Sequence, residues 1–287
     1  MRELQRKPDW FKIHRLAVGS RASEVLQTIA RNDLHTVCTS AACPNKGACF
    51  SEGTATFMIL GDVCTRACRF CNIDTGRPRE DFLGEPERVA AAAAAMGLRF
   101  VVVTSVCRDD LADEGAGAFA RTLLALKERI AGVRVELLIP DFSGRIDLLR
   151  TVLEAGPDVL NHNLETVERL TPRIRSKAQY HRSLDILRSA GELAPKIPRK
   201  SGLMVGLGET RDELRASFAD LASVGVERLT IGQYLQPTRR HHPVVRYYPP
   251  EEFEEMRTEA KAAGIRAVLS GPLVRSSYHA GTFVEQG

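Results

Sequence analysis

Hydrophobic and polar positions alternate along the chain with two different periods. Short, β-prone apolar stretches stand at Thr54 to Leu60, Leu98 to Thr104, Val133 to Ile139, Val159 to Leu164, Ser201 to Val205 and Arg228 to Tyr234, each bounded by Gly, Pro or charged residues. Between them the spacing is helical, at Glu85 to Met96, Ala116 to Arg129, Arg145 to Ala155, Tyr180 to Ala190 and Arg211 to Val224. A last helix, Pro249 to Ala263, and a strand, Arg266 to Ser270, precede the tail. Alternating strands and helices predict a parallel sheet. Six β/α units are too few to close an eightfold barrel, so the expected fold is α/β, a partial (β/α)6 TIM-like barrel. Residues 1–50 read as an N-terminal extension, with a short helix near Ala22 to Arg31 and then a loop rich in Cys, Gly, Pro and Asn. The expected division is 1–50 for the extension, 51–264 for the barrel and 265–287 for the C-terminal strand and tail.

In such sheets the chemistry lies outside the carboxyl ends of the strands. The polar motifs obey that rule. A loop containing Cys64 follows the first strand, TSVCRDDL from Thr104 to Leu111 ends the second, and Pro140-Asp141 the third. NHNLET from Asn161 ends the fourth, VGLGET from Val205 the fifth, and QYLQPT from Gln233 the sixth. Composition adds little beyond this. The 40 Lys plus Arg, 36 Asp plus Glu and 44% hydrophobic residues among 287 are those of a globular chain, which excludes disorder and collagen-like repeats. The net charge of +4 is too small and dispersed to argue for nucleic acid, although it suits an acidic protein partner. The longest apolar run, Val89 to Met96, falls far short of the ~20 residues of a membrane span. Met1 to Arg15 carries Arg2, Arg6, Lys7, Lys12 and Arg15 with no apolar stretch behind them, which is not a secretory signal, so the expected location is the cytoplasm.

The seven cysteines change the picture. Six of them fall between Cys38 and Cys71, as Cys38-x4-Cys43-x5-Cys49 and Cys64-x3-Cys68-x2-Cys71, and Cys107 stands apart. An odd count, with neighbours as close as Cys68 and Cys71, argues against a disulfide framework in a reducing compartment. Closely spaced thiolates can instead wrap a soft metal centre, either zinc or an iron–sulfur cluster. Zinc sites usually come as paired Cys-x-x-Cys knuckles, whereas here there are two triplets. Two fully thiolate-bound cubanes would take eight cysteines and only seven exist, so at least one iron must find another ligand.

The second triplet, in GDVCTRACRFC, resembles the signature of the radical S-adenosylmethionine superfamily, and Phe70 before its last cysteine and the strand ahead of the loop are typical of it. The resemblance implies a 4Fe–4S cluster on Cys64, Cys68 and Cys71 whose open iron is chelated by the amino and carboxylate groups of S-adenosylmethionine. An electron from such a cluster breaks the S–C5′ bond and releases a 5′-deoxyadenosyl radical, chemistry that the protein positions and the cofactor performs. With both triplets the chain resembles the lipoyl synthase family over essentially its whole length. CTSAACPNKGACF, with Cys38, Cys43 and Cys49, looks like the ligand set of that family's auxiliary 4Fe–4S cluster, and GPLVRSSYHA looks like its C-terminal Arg-Ser-Ser-Tyr motif. The family places a serine on the fourth auxiliary iron; Ser277 is the expected ligand, with Ser276 as the alternative. A hydroxyl is a poorer match than thiolate for a soft centre and so easier to displace.

The resemblance further implies insertion of two sulfur atoms at C6 and C8 of a protein-bound octanoyl-lysine, with the auxiliary cluster as sulfur donor and two S-adenosylmethionine molecules consumed per lipoyl group. It implies the N-terminal segment as a cluster-binding extension and the tail as a cover for the barrel mouth. Implied partners are octanoylated lipoyl domains of 2-oxoacid dehydrogenase complexes or the glycine cleavage H protein, an electron donor such as ferredoxin or flavodoxin, and an iron–sulfur carrier for cluster repair, with no nucleic acid and no membrane. Catalytic roles fall to Cys64, Cys68, Cys71 and Ser277, and cofactor contacts to Phe70, Thr104, Ser105, Asn163, Glu165, Gln233 and Leu235. Of these, Asn163 and Glu165 have chemistry that suits ribose hydroxyls and an ammonium, although an ordinary strand-end polar cluster would look the same.

Other polar residues carry weaker signals. Arg108, Asp109 and Asp110 read equally as a solvated run or a helix cap, Gly206 and Gly208 as turn glycines, and Arg173 and Arg175 as site supports or surface. His35, His162, His181, His241, His242 and His279 are not expected as ligands, because a lone histidine is more often structural. Cys107 stands where the commoner family string has Asp and is expected to be a small buried thiol. Three other classes compete with this reading: a different radical sulfur-inserting enzyme resembling biotin synthase, a non-catalytic iron–sulfur carrier, and a zinc module.

Overall fold

The computed structural model describes residues 6–11, 20–41, 43–51, 55–78 and 82–285. Most of the basic stretch Met1 to Arg15, Ala42 inside the first triplet, Thr54 at the head of the first expected strand, and the last two residues of the tail lie outside the described residues. The chain divides into two compact units.

One unit comprises His14–Arg66 and Asn72–Leu160. Its elements are α1 (Ser20–Arg31), β1 (His35–Thr36), α2 (Val37–Ser40), α3 (Lys46–Ser51), β2 (Thr56–Ile59), β3 (Val63–Cys64), β4 (Asp74–Thr75), α4 (Glu85–Ala95), β5 (Phe100–Ser105), α5 (Ala116–Arg129), β6 (Arg134–Leu138), α6 (Ile146–Glu154) and most of β7 (Val159–Asn161). Strand order is β1-β2-β5-β6, with β1 antiparallel and the other neighbours parallel; β3 and β4 form a separate parallel pair. The strands read as continuous apolar runs because both faces are covered: Phe57, Ile59, Val101, Val103, Val135 and Leu137 are inaccessible to solvent, and Met58 and Val102 on the opposite face are buried too. Each such side chain contributes about 1.5–3 kcal/mol of burial. The register pairs Ile59 with Ser105 and Thr104 with Leu138, so three strand ends finish level. Leu60 and Gly61 both take left-handed backbone there and turn the chain toward Cys64. Two neighbours hold Leu60 in that turn. The buried carboxylate of Glu85 accepts its N–H at 2.9 Å, and Gly115 packs so closely that a Cβ there would stand 2.4 Å from Leu60 Cδ1.

The other unit comprises Met1–Ile13, Ala67–Cys71 and Asn161–Gly287. It holds α7 (Thr171–Ile174), α8 (Tyr180–Leu193), β8 (Arg199–Val205), α9 (Arg211–Ser223), β9 (Arg228–Gln233), α10 (Pro250–Ala262), β10 (Ala267–Gly271) and α11 (Ala280–Glu285). The parallel order β8-β9-β10 pairs Val205 with Gln233 and Gly232 with Gly271, which again levels the carboxyl ends. Thr210 and Glu213 form a reciprocal capping box that starts α9 immediately after the Gly206–Gly208 turn. Phe218, Leu221, Leu229, Ile231, Phe253 and Met256, all fully buried or nearly so, form the core under this sheet.

The expected helices and strands are present with ends displaced by up to three residues, and two segments differ in kind. The fourth strand, expected to reach Leu164, ends at Asn161. Beyond it Glu165 takes left-handed backbone and pairs singly with Leu203, which ends the regular ladder. The cysteine-rich segment expected as a loop contains α2 and α3, too short to show a helical period. Thr36 caps α2, accepting the Thr39 N–H. Among the described residues no helix is long and apolar enough to cross a membrane.

Candidate functional site

The loop that leaves β3 is stapled to the loop that leaves β5. Thr65 N–H and Oγ1 both donate to the Cys107 carbonyl at 3.0 Å, and Thr65 Oγ1 accepts the Asp109 N–H at 3.1 Å. Arg66 adds a buried ion trio. Its Nε and Nη2 fork onto Asp109, at 2.9 and 2.7 Å, and its Nη1 meets Asp141 at 2.7 Å. Of the two readings left open for Arg108, Asp109 and Asp110, the solvated run fails at Arg108, which is buried too, forked onto Asp110 and stacked 5.0 Å over the Phe82 ring.

This arrangement fixes the electrostatics of Cys64. Its Sγ accepts the N–H of Cys107 at 3.3 Å and of Arg66 at 3.4 Å. A hydrogen bond from the Cys107 side chain pulls the Cys64 thiol down to about 6; burial opposes this, and the two N–H groups and the Arg66 charge assist it. Cys64 is thus prepared as a thiolate, the form that ligates iron. Cys107, expected as a small buried thiol, is instead half-buried and in contact with a candidate ligand. Close by, Ser105 Oγ is buried and has no partner among the described residues, whereas Thr104 donates its hydroxyl to the Leu138 carbonyl at 2.9 Å.

In the same unit, Cys38 lies on α2 and packs in a small core with Ala22, Val25, Phe50 and Ala55. Burial pushes its thiol up, and the neighbouring Cys43 adds to this. Cys43 N–H donates to the Cys38 carbonyl at 3.2 Å, and Cys49, on α3, donates its N–H to Asn45. Asn72, which follows Cys71 directly in the chain, donates to the Ser40 carbonyl at the end of α2 at 3.0 Å. Among the described residues no three His, Cys, Asp or Glu converge on the position of a single metal ion. A cubane does not ask for that, since each thiolate goes to a different iron.

In the other unit, Cys68 and Cys71 close a turn through Cys71 N–H to the Cys68 carbonyl at 3.1 Å, and Phe70 packs against the main core. His241 Nε2 donates to the Cys71 carbonyl at 2.8 Å, and the His242 N–H donates to the Arg69 carbonyl at 2.8 Å. Both histidines brace this turn. Beyond β7, Asn163 Nδ2 donates to Glu165 at 3.0 Å, while Ser276 Oγ donates to Asn163 Oδ1 at 3.1 Å and accepts from Asn161 Nδ2 at 2.9 Å. Desolvation pushes the Glu165 carboxyl up, against the opposing Arg175 charge and the Asn163 hydrogen bond. Arg175 is buried on Ser183 and the Leu164 carbonyl, whereas Arg173 is exposed. Ser277 Oγ has no hydrogen-bond partner among the described residues. Gln233, expected as a cofactor contact, is spent on the backbone: Nε2 donates to the carbonyls of Val205 and Arg246, and Oε1 accepts the Tyr248 N–H. Gly206 makes room for it, since a Cβ there would lie 2.0 Å from Gln233 Nε2. Leu235 is half-buried at the end of the same strand.

These features match known proteins closely. The sequence profile of the radical SAM superfamily matches residues 58–221, more than half of the chain. A lipoyl synthase of Halalkalibacterium halodurans is 52% identical over 279 residues, covering 97% of this chain and 92% of that protein. Those of Symbiobacterium thermophilum and Porphyromonas gingivalis are 52% and 51% identical, covering 97% and 96% of this chain and 87% and 97% of theirs. The chain belongs to the lipoyl synthase family. Among solved structures, methylornithine synthase matches with a TM-score of 0.51 at 16% identity, over 74% of this chain and 69% of that one. Escherichia coli coproporphyrinogen III oxidase, a radical SAM enzyme, matches with a TM-score of 0.52 at 14% identity, over 71% and 51%. At such identity the likeness shows the fold alone, and that fold is the expected α/β partial barrel.

Lipoyl synthase family members are sulfurtransferases of the radical SAM type, so the cofactors are S-adenosylmethionine, a 4Fe–4S cluster and a second, auxiliary cluster. Sequence reasoning missed Thr65, Arg66, Asn72 and the brace from His241. Nothing in their spacing announces them, because each acts on a residue remote in sequence. The one available signal was Arg66, a cation set between two cysteines of a loop that was expected to bind a metal.

Proposed function

We propose that this chain inserts two sulfur atoms, at C6 and C8, into a protein-bound octanoyl-lysine. In this reading Cys64, Cys68 and Cys71 hold the radical-forming cluster, and Cys38, Cys43, Cys49 and Ser277 hold the auxiliary one. When bound, these groups supply a radical able to take hydrogen from an unactivated carbon and the sulfur that replaces it. The chain's own residues prepare and orient. The backbone N–H groups of Arg66 and Cys107 stabilise Cys64 as thiolate, and the ion trio of Arg66 holds that loop in place. Ser105 offers an unused buried hydroxyl, and Asn163 with Glu165 offers an amide and a carboxylate matched to ribose hydroxyls and the ammonium of S-adenosylmethionine. Phe70 and Leu235 supply apolar surface, and Thr104 supports its strand end. Gln233 acts here as a backbone clamp.

The observation that carries this reading is the free hydroxyl of Ser277, beside a Ser276 whose proton is already committed, in a chain with two separate cysteine triplets. The functional division is the extension 1–50, the barrel 51–264 and the tail 265–287. The substrate is an octanoylated lipoyl domain, of a 2-oxoacid dehydrogenase complex or the glycine cleavage H protein. A ferredoxin or flavodoxin supplies electrons, an iron–sulfur carrier rebuilds the spent cluster, and the setting is the cytoplasm. The test is iron and sulfide counting on the anaerobically reconstituted full chain, joined to product mass on an octanoylated lipoyl-domain peptide. We expect about eight irons per chain, as two cubanes, and a product carrying two added sulfurs. A single cluster, or an octanoyl peptide returned unchanged beside released deoxyadenosine, would sink the sulfur-donor assignment.

A further inference from the structure

Cys107 is the one cysteine outside both triplets, and it is placed against a member of one. Its N–H donates to Cys64 Sγ at 3.3 Å. The two backbones are held side by side, because Thr65 N–H and Oγ1 both donate to the Cys107 carbonyl at 3.0 Å. Both side chains are half-buried, so a small oxidant can reach them. The surrounding staples of Arg66, Asp109 and Asp141 leave neither loop free to drift away.

We propose that Cys64 and Cys107 form a redox modification site, joining as a reversible disulfide when the chain lacks its cluster and meets a peroxide. The chemistry balances with hydrogen peroxide as the oxidant. One thiolate attacks the O–O bond, giving a sulfenic acid and hydroxide, which takes up the proton that thiol had released and becomes water; the second sulfur then displaces the sulfenic hydroxyl, its own proton leaving with that hydroxyl as a second water, and the S–S bond forms. Two electrons pass from the two sulfurs to the peroxide. A dithiol reductant returns both thiols by exchange. The link keeps Cys64 from higher oxidation states, which are irreversible, and also removes it as an iron ligand. That second consequence rests on the assignment of Cys64 to the cluster; the disulfide itself does not.

The test treats the cluster-free full chain with hydrogen peroxide, alkylates the remaining thiols and weighs the proteolytic peptides, beside Cys107→Ser and Cys107→Asp chains. The expected main cross-link joins the peptides of Cys64 and Cys107, two alkylatable thiols disappear per chain, both return on reduction, and neither variant gives the link. A main cross-link from Cys64 to Cys68 or Cys71, or an unchanged thiol count, overturns the proposal. A second arm offers iron and sulfide to the oxidised chain and follows the S-adenosylmethionine-responsive paramagnetic signal, expected to be lost and then regained after reduction. Equal signals before and after reduction overturn the blocking role, whereas normal loading of an untreated Cys64→Ala chain refutes the cluster assignment and leaves the cross-link result standing.

Discussion

Replacing Arg66 with Met removes the cation of the buried trio while keeping much of its bulk. The side chains of Arg66 and Asp141 are 4% and 0% exposed and that of Asp109 is 15%, so the variant takes the cation from between two carboxylates that water cannot fully solvate. Taking one partner out of such a pair costs about 3–5 kcal/mol. That is a large part of the ~5–15 kcal/mol by which a folded domain is stable. At ~2–4 °C per kcal/mol for domains of this size, melting should fall by roughly 6–20 °C. Arg66→Lys keeps the charge but cannot fork onto Asp109 while also reaching Asp141, so it should fall in between. The Arg66→Met, Asp141→Asn double variant should recover part of the loss, because one of the two buried negative charges has gone. The assay is thermal unfolding of the cluster-free full chain by circular dichroism, with deoxyadenosine release by the reconstituted chain as the functional readout. Radical formation should fall in Arg66→Met, since the loop that presents Cys64 is anchored through this side chain. A melt lowered by less than about 1 kcal/mol, or a double variant that simply sums the two singles, would refute the trio as an anchor.

The cysteine triplets should separate by function: Cys68→Ala should abolish deoxyadenosine formation, while Cys43→Ala keeps some radical cleavage and gives no sulfur insertion. Lipoyl product from Cys43→Ala would place the sulfur source elsewhere. Ser277→Ala should weaken the auxiliary cluster or stop turnover with S-adenosylmethionine affinity intact, whereas Ser276→Ala, which releases Asn163, should raise the KM for S-adenosylmethionine; swapped phenotypes would move the iron ligand to Ser276. Desolvation raises the Glu165 carboxyl, so the folded chain holds that proton more tightly than the unfolded one, and stability falls as pH climbs through the interval above the ordinary glutamate range. Glu165→Gln should therefore melt higher than the parent at neutral pH, lose that advantage below about pH 4, and bind S-adenosylmethionine more weakly. Equal melts at both pH values would contradict the desolvation argument.

Elements with a strong period were legible in the sequence, and those shaped by contacts were not. Ala116–Arg129 emerged with the expected bounds because fourteen residues carry an uninterrupted apolar stripe and the left-handed Gly115 marks the start. Val37–Ser40 offers no such stripe, and only the hydroxyl of Thr36 against the Thr39 N–H marks it as helix. The fourth strand was overextended to Leu164 because that apolar residue reads as its end, while the regular strand stops at Asn161 and the backbone at Glu165 turns left-handed to form a single bridge with Leu203. The candidate ligands were readable from spacing because cluster loops are local. Their supports were not: Asp109 lies 43 residues from Arg66, and His241 lies 170 from Cys71. Gln233 shows the opposite error. A polar residue at a strand end suggested a ligand contact, yet its amide is consumed by carbonyls and an N–H of its own chain.

The choice between Ser276 and Ser277 shows what geometry adds to a motif. Adjacent serines in one short string have the same composition, exposure class and sequence neighbourhood, so no pattern can rank them. A hydroxyl, however, has one proton and a limited set of acceptor directions. Ser276 gives its proton to Asn163 Oδ1 and accepts from Asn161 Nδ2, partners 113 and 115 residues away. To reach an iron it would have to abandon both, costing the fully buried Asn161 and the half-buried Asn163 one hydrogen bond each, at about 1–3 kcal/mol apiece. Ser277 faces no such cost. The same bonds give Ser276 a different task, since a tail residue that fixes Asn163 also fixes the amide that orients Glu165. On the proposed reading one dipeptide serves two cofactors, with the iron assigned to the hydroxyl that nothing else in the described chain engages.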